Sequence, residues 1–272
     1  MRVACLIMQK DEEDLLEPWL KYHGNLFGAE NIFLWDNGSS SLKVERILDE
    51  WSSLLGAVIK DETSEIAFRR KGVILGQKIK DLDQDAPYDF YIPLDCDEFI
   101  AVEDGAGAVS CKKEDILNEI AKYRSETKAL DVSKSYYNLL GRRDSYWKTG
   151  FQKTFFRAGT FKQMDHGYHH GESKLEAGRE QTSLVYIHMH HKPHATIVAH
   201  SRNKISPYYD VNDAVLMQSL YATNRLVRFM LDDEATYMEK FLALPGTKLP
   251  QFRKALEDIG TYLPFDVADL KV

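Results

Sequence analysis

The sequence predicts an α/β fold: a doubly wound, mostly parallel sheet with helices on both faces, followed by a helical C-terminal part. Three observations lead there. Short apolar runs, patterned like strands covered on both faces, alternate with helical stretches through the first 100 residues. Acids follow these runs, with Asp11, Asp36 and Asp95 all at the ends of predicted strands, where open α/β sheets bind ligands. Beyond Pro207 the periodicity is helical.

Taken in order, Arg2 to Gln9 reads as the first strand, with Lys10, Asp11 and Glu12 just past its carboxyl end. Pro18 suits a first helical turn, and Trp19, Leu20, Tyr22, His23, Leu26 and Phe27 recur at helical spacing until Gly28 stops the element. Asn31 to Asp36 is a second buried strand, and Asn37-Gly38-Ser39-Ser40 supplies a turn and helix cap. Leu42 to Leu55 is an amphipathic helix, and Ala57 to Ile59 a short third strand. Ile66 to Leu82 reads as a helix carrying Arg69, Arg70, Lys71 and Lys78, and Tyr88 to Leu94 as the fourth strand.

Past Ile100 a loop at Gly105 and a helix at Lys113 to Tyr123 precede three predicted strands, Ala129 to Tyr136, Gln152 to Arg157 and Ser183 to Met189. Helices are expected at about 211–230, 234–243 and 249–259. Neither an internal repeat nor a low-complexity linker interrupts the chain. The expected division is 1–205 as one unit, with halves at 1–100 and 101–205, and 206–272 as a helical extension.

The composition, 44% hydrophobic and 28% charged, is that of a globular protein. A net charge of −7 argues against non-specific nucleic-acid binding, which needs an excess of Lys and Arg. A phosphate would have to be met locally, by a metal or a few basic groups. Cys5, Cys96 and Cys111 are odd in number and lack C-x-x-C spacing, so neither a disulfide framework nor a structural zinc site is expected. Val3 to Met8 is too short for a signal-peptide core, and no run approaches the roughly 20 apolar residues of a bilayer span. A cytoplasmic location is expected, with docking at a membrane surface left open.

The stretch YDFYIPLDCDEFI, residues 88–100, ends in three carboxylates within four positions. If the strand period continues, Asp95 and Asp97 face one spot, and Glu98 turns away to brace the turn or a neighbouring basic side chain. Two close carboxylates repel unless a divalent cation compensates them, and oxygen ligands suit Mg²⁺ or Mn²⁺. The plainer alternative is a solvated turn after a buried strand. Eight of the nine histidines fall between His166 and His200; His188 and His190 share a strand face, and a metal or phosphate contact competes with a surface patch. Arg69, Arg70 and Lys71 are either diphosphate contacts or a solvated helix face, and Lys153 and Arg157 could meet an anionic ligand together.

With those motifs in order, the chain resembles bacterial family 2-like glycosyltransferases. MRVACLIMQKDEEDLLEPWLKYHGNLFGAENIFLWDNGSS is similar to their K-N-E-type segment, E-W-x-x-Y-H helix and Y-D-N-G-S-x-D turn, and YIPLDCDEFI to their D-x-D-E-F strand end. KTFFR, DHGYHHG and IHMHHKPHATIVAHSRNKI extend the likeness to about residue 205. Asp11 stands where an Asn is usual, and the Asp after Gly-Ser-x is missing.

The resemblance implies a glycosyltransferase type A fold and transfer of a sugar from a nucleoside-diphosphate sugar, a UDP-sugar being favoured, to a glycan or lipid-linked acceptor, as in polysaccharide biosynthesis. It implies Mn²⁺ or Mg²⁺ held by Asp95, Asp97 and His190. Asp36 would contact the donor base or ribose, with Asp11 or Glu12 nearby, and Asp95 would lie near the ribose as well as the metal; beside the resemblance, Arg70 is a candidate diphosphate contact and Lys153 a candidate contact to an anionic ligand by their positions in the sequence. Inversion needs a carboxylate or histidine as base, with Asp165, His166 and Glu172 as candidates. The HGYHHG loop, with Gly167 and Gly171, could close as a lid. A metal-dependent phosphoesterase and a non-catalytic sugar-nucleotide-binding module remain the alternatives.

Overall fold

The computed structural model describes residues 1–85 and 88–263. The first part runs Val3–Gln9 (β1), Leu16–Phe27 (α1), Ile32–Asp36 (β2), Leu42–Trp51 (α2), Ala57–Ile59 (β3), Glu65–Arg69 (α3), Lys71–Asp85 (α4) and Phe90–Pro93 (β4). It continues through Glu98–Glu103 (β5), Val109–Ser110 (β6), Lys113–Ala121 (α5), Ala129–Val132 (β7), Lys134–Asn138 (β8), Ser145–Thr149 (β9) and Lys153–Arg157 (β10). Then come Phe161–Met164 (β11), Gly171–Ser173 (β12), Arg179–Gln181 (β13) and Leu184–His188 (β14). The last part is His194–Ile205 (α6), Ala214–Leu220 (α7), Arg225–Leu231 (α8), Glu234–Leu242 (α9), Thr247–Lys248 (β15) and Pro250–Asp258 (α10).

The alternation of strand and helix is observed, but the strands divide between two main sheets rather than one. A seven-stranded sheet has the order β13-β7-β10-β4-β1-β2-β3, and a six-stranded sheet the order β15-β9-β8-β14-β5-β6. Strands β4, β1, β2 and β3 are mutually parallel, whereas β10 runs antiparallel to β4 and β7. Strands β11 and β12 form a separate hairpin beside them.

All seven residues of β1 are buried because it lies between β2 and β4 and is covered on both faces. Its alternating side chains feed two cores. Val3, Cys5 and Ile7 join α1, β5 and Phe252 and Leu256 of α10; Ala4, Leu6 and Met8 join Leu75, Ile79 and Leu82 of α4. Trp19 Nε1 donates to Glu98 O at 2.9 Å and Tyr22 Oη to Ile100 O at 2.7 Å, so α1 fixes β5 against the parallel sheet. Full burial of each such aromatic contributes roughly 1.5–3 kcal/mol. The C-terminal part is not wholly separate, since α10 enters the main core and β15 pairs with β9.

Several predicted elements break where tertiary contacts intervene. The run 129–136 splits at Ser133, whose N–H donates to Leu184 O, because β7 and β8 belong to different sheets. The helix expected over 66–82 is interrupted at Arg70 (φ −102°, ψ 12°), and that over 211–230 ends before Asn224, which caps α8. The cap of α2 is Ser41, with Ser64 playing the same part at α3.

Candidate functional site

The register of the parallel strands aligns Gln9 with Asp36 and Trp35 with Ile59, and Pro93 lies opposite Leu6, so β1 to β4 all end at one edge. Asp11, Asp36 and Asp95 therefore gather there. Strand β4 stops at Pro93, and Asp95 to Asp97 form a tight turn closed by Glu98 N–H on Asp95 O at 3.1 Å. Strand alternation consequently does not apply to Asp95 and Asp97, and their carboxylates take different surroundings.

Asp97 faces the end of β14. That strand pairs antiparallel with β5, placing His188 opposite Glu98, and Met189 N–H donates to Asp97 O at 2.7 Å. His188 Nε2 lies 3.2 Å from Asp97 Oδ2, and one ligand atom each of Asp97, His188 and His190 falls within a 4.8 Å cluster. Burial favours the neutral Asp97 carboxyl, but His188 followed by Lys192 outweighs it and holds the group below the usual carboxylate range. Burial pulls His188 down, but Asp97 and then Glu98 together raise it above its ordinary value. Burial and His188 lower His190 to about 3, leaving a neutral imidazole with a free lone pair. His188 Nδ1 is buried without a hydrogen-bond partner among the described residues.

Tyr137 walls this centre, its ring 4.6 Å from that of His188 and 5.0 Å from that of His190. Asn138 braces the next residue, accepting from His191 N–H at 2.8 Å and donating to His191 O at 2.7 Å. Lys192 is buried and pairs with Glu12 at 2.7 Å. Burial raises the Glu12 carboxyl in spite of Lys192, with Asp97 adding to the rise.

Asp95 is held instead by two lysines. Its Oδ1 meets Lys71 Nζ, and its Oδ2 lies 2.8 Å from Lys153 Nζ. Lys153, 1% exposed, also reaches Glu98 Oε1 at 2.9 Å and Gly167 O at 2.8 Å. The two lysines overcome the effect of burial and keep the Asp95 carboxyl low. Glu98 braces as expected, its Oε2 accepting from Asp95 N–H at 2.9 Å, and burial raises its carboxyl despite Lys153. Asp95, expected to share a cation with Asp97 and His190, is thus not among the grouped ligand atoms of Asp97, His188 and His190, and both its oxygens meet lysines instead.

The other expected residues lie as follows. Asp36 accepts from Gln9 Nε2 at 2.7 Å and Ser39 Oγ at 2.5 Å. Asp11, with φ 52°, receives Ser40 N–H at 2.7 Å and Ser41 N–H at 2.9 Å, so both acids organise the WDNGSS loop. Arg70 is exposed, while the adjacent Lys71 points inward to Asp95. Arg157 leaves Lys153 and donates to Glu126 O at 2.6 Å. Asp165 closes its own turn by accepting from His170 N–H at 2.9 Å; His166 is exposed, and Glu172 pairs with Lys162 at 2.8 Å on the surface. The HGYHHG segment is packed inward at Tyr168, whose ring lies 4.8 Å from Lys71 Nζ and 5.1 Å from Lys153 Nζ.

The parts not singled out from sequence are His188 as a partner of Asp97, Lys71 as an inward lysine and Lys192 as the partner of Glu12. Clustering marked His188, yet only the β5–β14 register brings it to Asp97. All three cysteines are free and buried, and no helix among the described residues is long and apolar enough to cross a membrane.

No protein-family model and no curated protein matches the chain. Among solved structures it is similar, at 11% identity, to one described as mannose-1-phosphate geranyltransferase from Thermus thermophilus, covering 85% of this chain and 67% of that one with a TM-score of 0.33. S. aureus TarS aligns at 12% identity over 95% of this chain and 48% of its own, with a TM-score of 0.37. The chain thus spans about half the length of TarS. A shorter form of TarS in complex with UDP aligns at 12% identity over 95% of this chain and 80% of its own, with a TM-score of 0.35. Likenesses of this size leave function to be read from the residues themselves.

Proposed function

We propose that the chain is a metal-dependent glycosyltransferase that moves a sugar, with inversion, from a nucleoside-diphosphate sugar to a hydroxyl of a glycan or other acceptor. The observation that carries this reading is the convergence of Asp97, His188 and His190 beside the edge where the parallel strands end. The ordered motifs quoted above support it independently.

The three side chains fit a divalent cation. One carboxylate and two imidazoles form a mixed oxygen and nitrogen set, which suits Mn²⁺ better than Mg²⁺. When bound, such an ion would stabilise charge developing on a departing nucleoside diphosphate, typically by several kcal/mol. Lys71 and Lys153 hold Asp95 so that the turn presents Asp97, and Lys192 does the same for Glu12. Asp36, Asp11 and the serine loop form the proposed nucleoside side, with Arg70 on the rim as a proposed phosphate contact. Asp165 is the proposed base ahead of His166 and Glu172, because its loop reaches Lys153 through Gly167 O.

The test is incubation with Mn²⁺ and a panel of nucleoside-diphosphate sugars, reading released nucleoside diphosphate and thermal shift with UDP. Turnover lost in Asp97→Ala is expected. No shift with any nucleoside diphosphate, together with an Asp97→Ala variant indistinguishable from the parent, would sink the proposal; cleavage of simple aryl phosphates instead would identify a phosphoesterase.

A further inference from the structure

Beside the cluster stands an exposed aromatic ring, on the segment Gly150-Phe151-Gln152 between β9 and β10. Strand β10 runs antiparallel to β4 with Phe156 opposite Tyr91, so β10 begins where β4 ends, and the segment lies at the edge that holds Asp95 to Asp97. Phe151 is 54% exposed, a large apolar side chain left in water. Its ring stacks on that of Tyr137, 5.8 Å away with 17° between the planes, an offset-parallel pair. Tyr137 is held in turn by Trp147, its cross-strand partner, which meets it edge-on at 6.2 Å, and by the rings of His188 and His190 at 4.6 Å and 5.0 Å. The Phe151 ring therefore stands no more than about 11 Å from that of His190, a span no longer than a disaccharide. On its other side the segment is tied to the HGYHHG loop, where His169 Nδ1 donates to Gln152 O at 2.7 Å. That loop carries Asp165, the proposed base.

The surroundings of the ring select what covers it. A nucleobase belongs elsewhere, since Asp36, on the proposed nucleoside side, ends β2, which β4 and β1 separate from β10 in the sheet order. An acyl chain needs contiguous apolar surface, but Phe151 is flanked by Thr149, Gly150, Gln152 and the buried Lys153. Gln152 Nε2 in turn donates to Gln181 Oε1 at 3.0 Å. One aromatic face among hydroxyl, amide and imidazole groups suits a sugar ring. The C–H face of a pyranose, slightly positive, meets the negative face of the aromatic ring, and its hydroxyls find polar partners at the edge.

We propose that Phe151, backed by Tyr137, is the platform on which the acceptor lays a sugar ring, so that the acceptor is a saccharide at the end that reacts. From there an acceptor hydroxyl enters the space between the Asp97–His188–His190 cluster and the Asp165 loop. Tyr137 acts through Phe151 as a positioning residue, fixing the angle of the exposed ring. As an acceptor subsite the platform rests on the proposed glycosyltransferase reading, whereas its binding of a sugar ring does not.

The experiment compares the full chain with its Phe151→Ala and Phe151→Trp variants. The position is exposed, so the folded state should be kept, with circular dichroism as the check. Mn²⁺ binding is read by electron paramagnetic resonance, and UDP binding by calorimetry with Mn²⁺. Cellobiose, maltose, chitobiose and N-acetyllactosamine are then titrated with Mg²⁺ and UDP present, reading saturation transfer from aromatic protons of the protein to C–H protons of the sugar. Phosphatidylglycerol vesicles, scored by co-sedimentation, form the lipid arm. At least one disaccharide is expected to bind the parent, with affinity lowered about tenfold or more in Phe151→Ala and kept in Phe151→Trp, while Mn²⁺ and UDP bind all three proteins equally. Equal disaccharide binding by the parent and Phe151→Ala overturns the platform. So does a parent that binds no disaccharide, whether or not it binds the vesicles. A parent that binds neither Mn²⁺ nor UDP overturns the donor reading instead, and the disaccharide titrations repeated without them then decide the platform alone.

Discussion

Replacing Lys153 by methionine tests whether the Asp95 turn depends on a buried cation. Lys153 Nζ has three oxygen neighbours at 2.8–2.9 Å, Asp95 Oδ2, Glu98 Oε1 and Gly167 O. Methionine fills similar volume but leaves Glu98, 0% exposed, without its cation, whereas Asp95 keeps Lys71. Breaking a buried pair by removing one partner costs about 3–5 kcal/mol. At about 2–4 °C per kcal/mol for a chain of this size, the melting temperature should fall by roughly 10 °C. Urea unfolding followed by circular dichroism gives the free energy. Adding Glu98→Gln to Lys153→Met should restore about 1 kcal/mol or more, because the uncompensated carboxylate is gone. Burial already raises the Glu98 carboxyl, so the deficit of Lys153→Met should narrow toward acid pH, where Glu98 folds protonated. A cost below about 1 kcal/mol, or strict additivity with Glu98→Gln, would refute the reasoning.

Three further outcomes are expected. Asp97→Ala should weaken Mn²⁺ binding by at least about 100-fold, since even outer-shell changes cost about 10–100-fold, whereas Asp95→Asn should leave it within a few-fold by the same resonance titration. Glu103, buried and facing Lys134, Lys148 and Tyr136, is pushed up by burial but held down by these partners to about 2 from 4.5. Its stabilisation is therefore present above pH 4.5 and lost as pH falls through about 2, and Glu103→Gln should flatten that part of an acid-unfolding curve. Gly72→Ala would place a Cβ 2.3 Å from Asp165 O, so α4 or the 165–170 loop must shift, at about 1–3 kcal/mol in urea unfolding.

The α/β class was legible because β1, β2 and β4 are buried on both faces and so are written as apolar runs. The acids at their ends were legible for the same reason, since turn chemistry follows each run abruptly. What the chain does not spell out is pairing between distant strands. Nothing local announces that β5 leaves the parallel sheet or that β14 aligns His188 with Glu98, and that register alone separates His188 from its histidine neighbours. Asp95 misled for a related reason: spacing showed two acids close together but not the lysines, one from α4 and one from β10, that claim the first of them. Glu98 was readable because a buried carboxylate beside a turn must find a donor or a cation.

The centre that joins Asp97 to His188 and His190 is also a clock. Its members are separated by about a third of the chain, and they meet only once β14 has added beside β5. During synthesis the first half emerges with its parallel strands and its lone Asp97, and the proposed cation site cannot form until β14 has been made and docked beside β5. Closing so long a loop is slow compared with forming local helices. Capture of the ion would then report that β14 has joined β5, before β15 completes the second sheet, and a chain arrested before residue 190 would carry every acid of the opening motifs and still lack the centre.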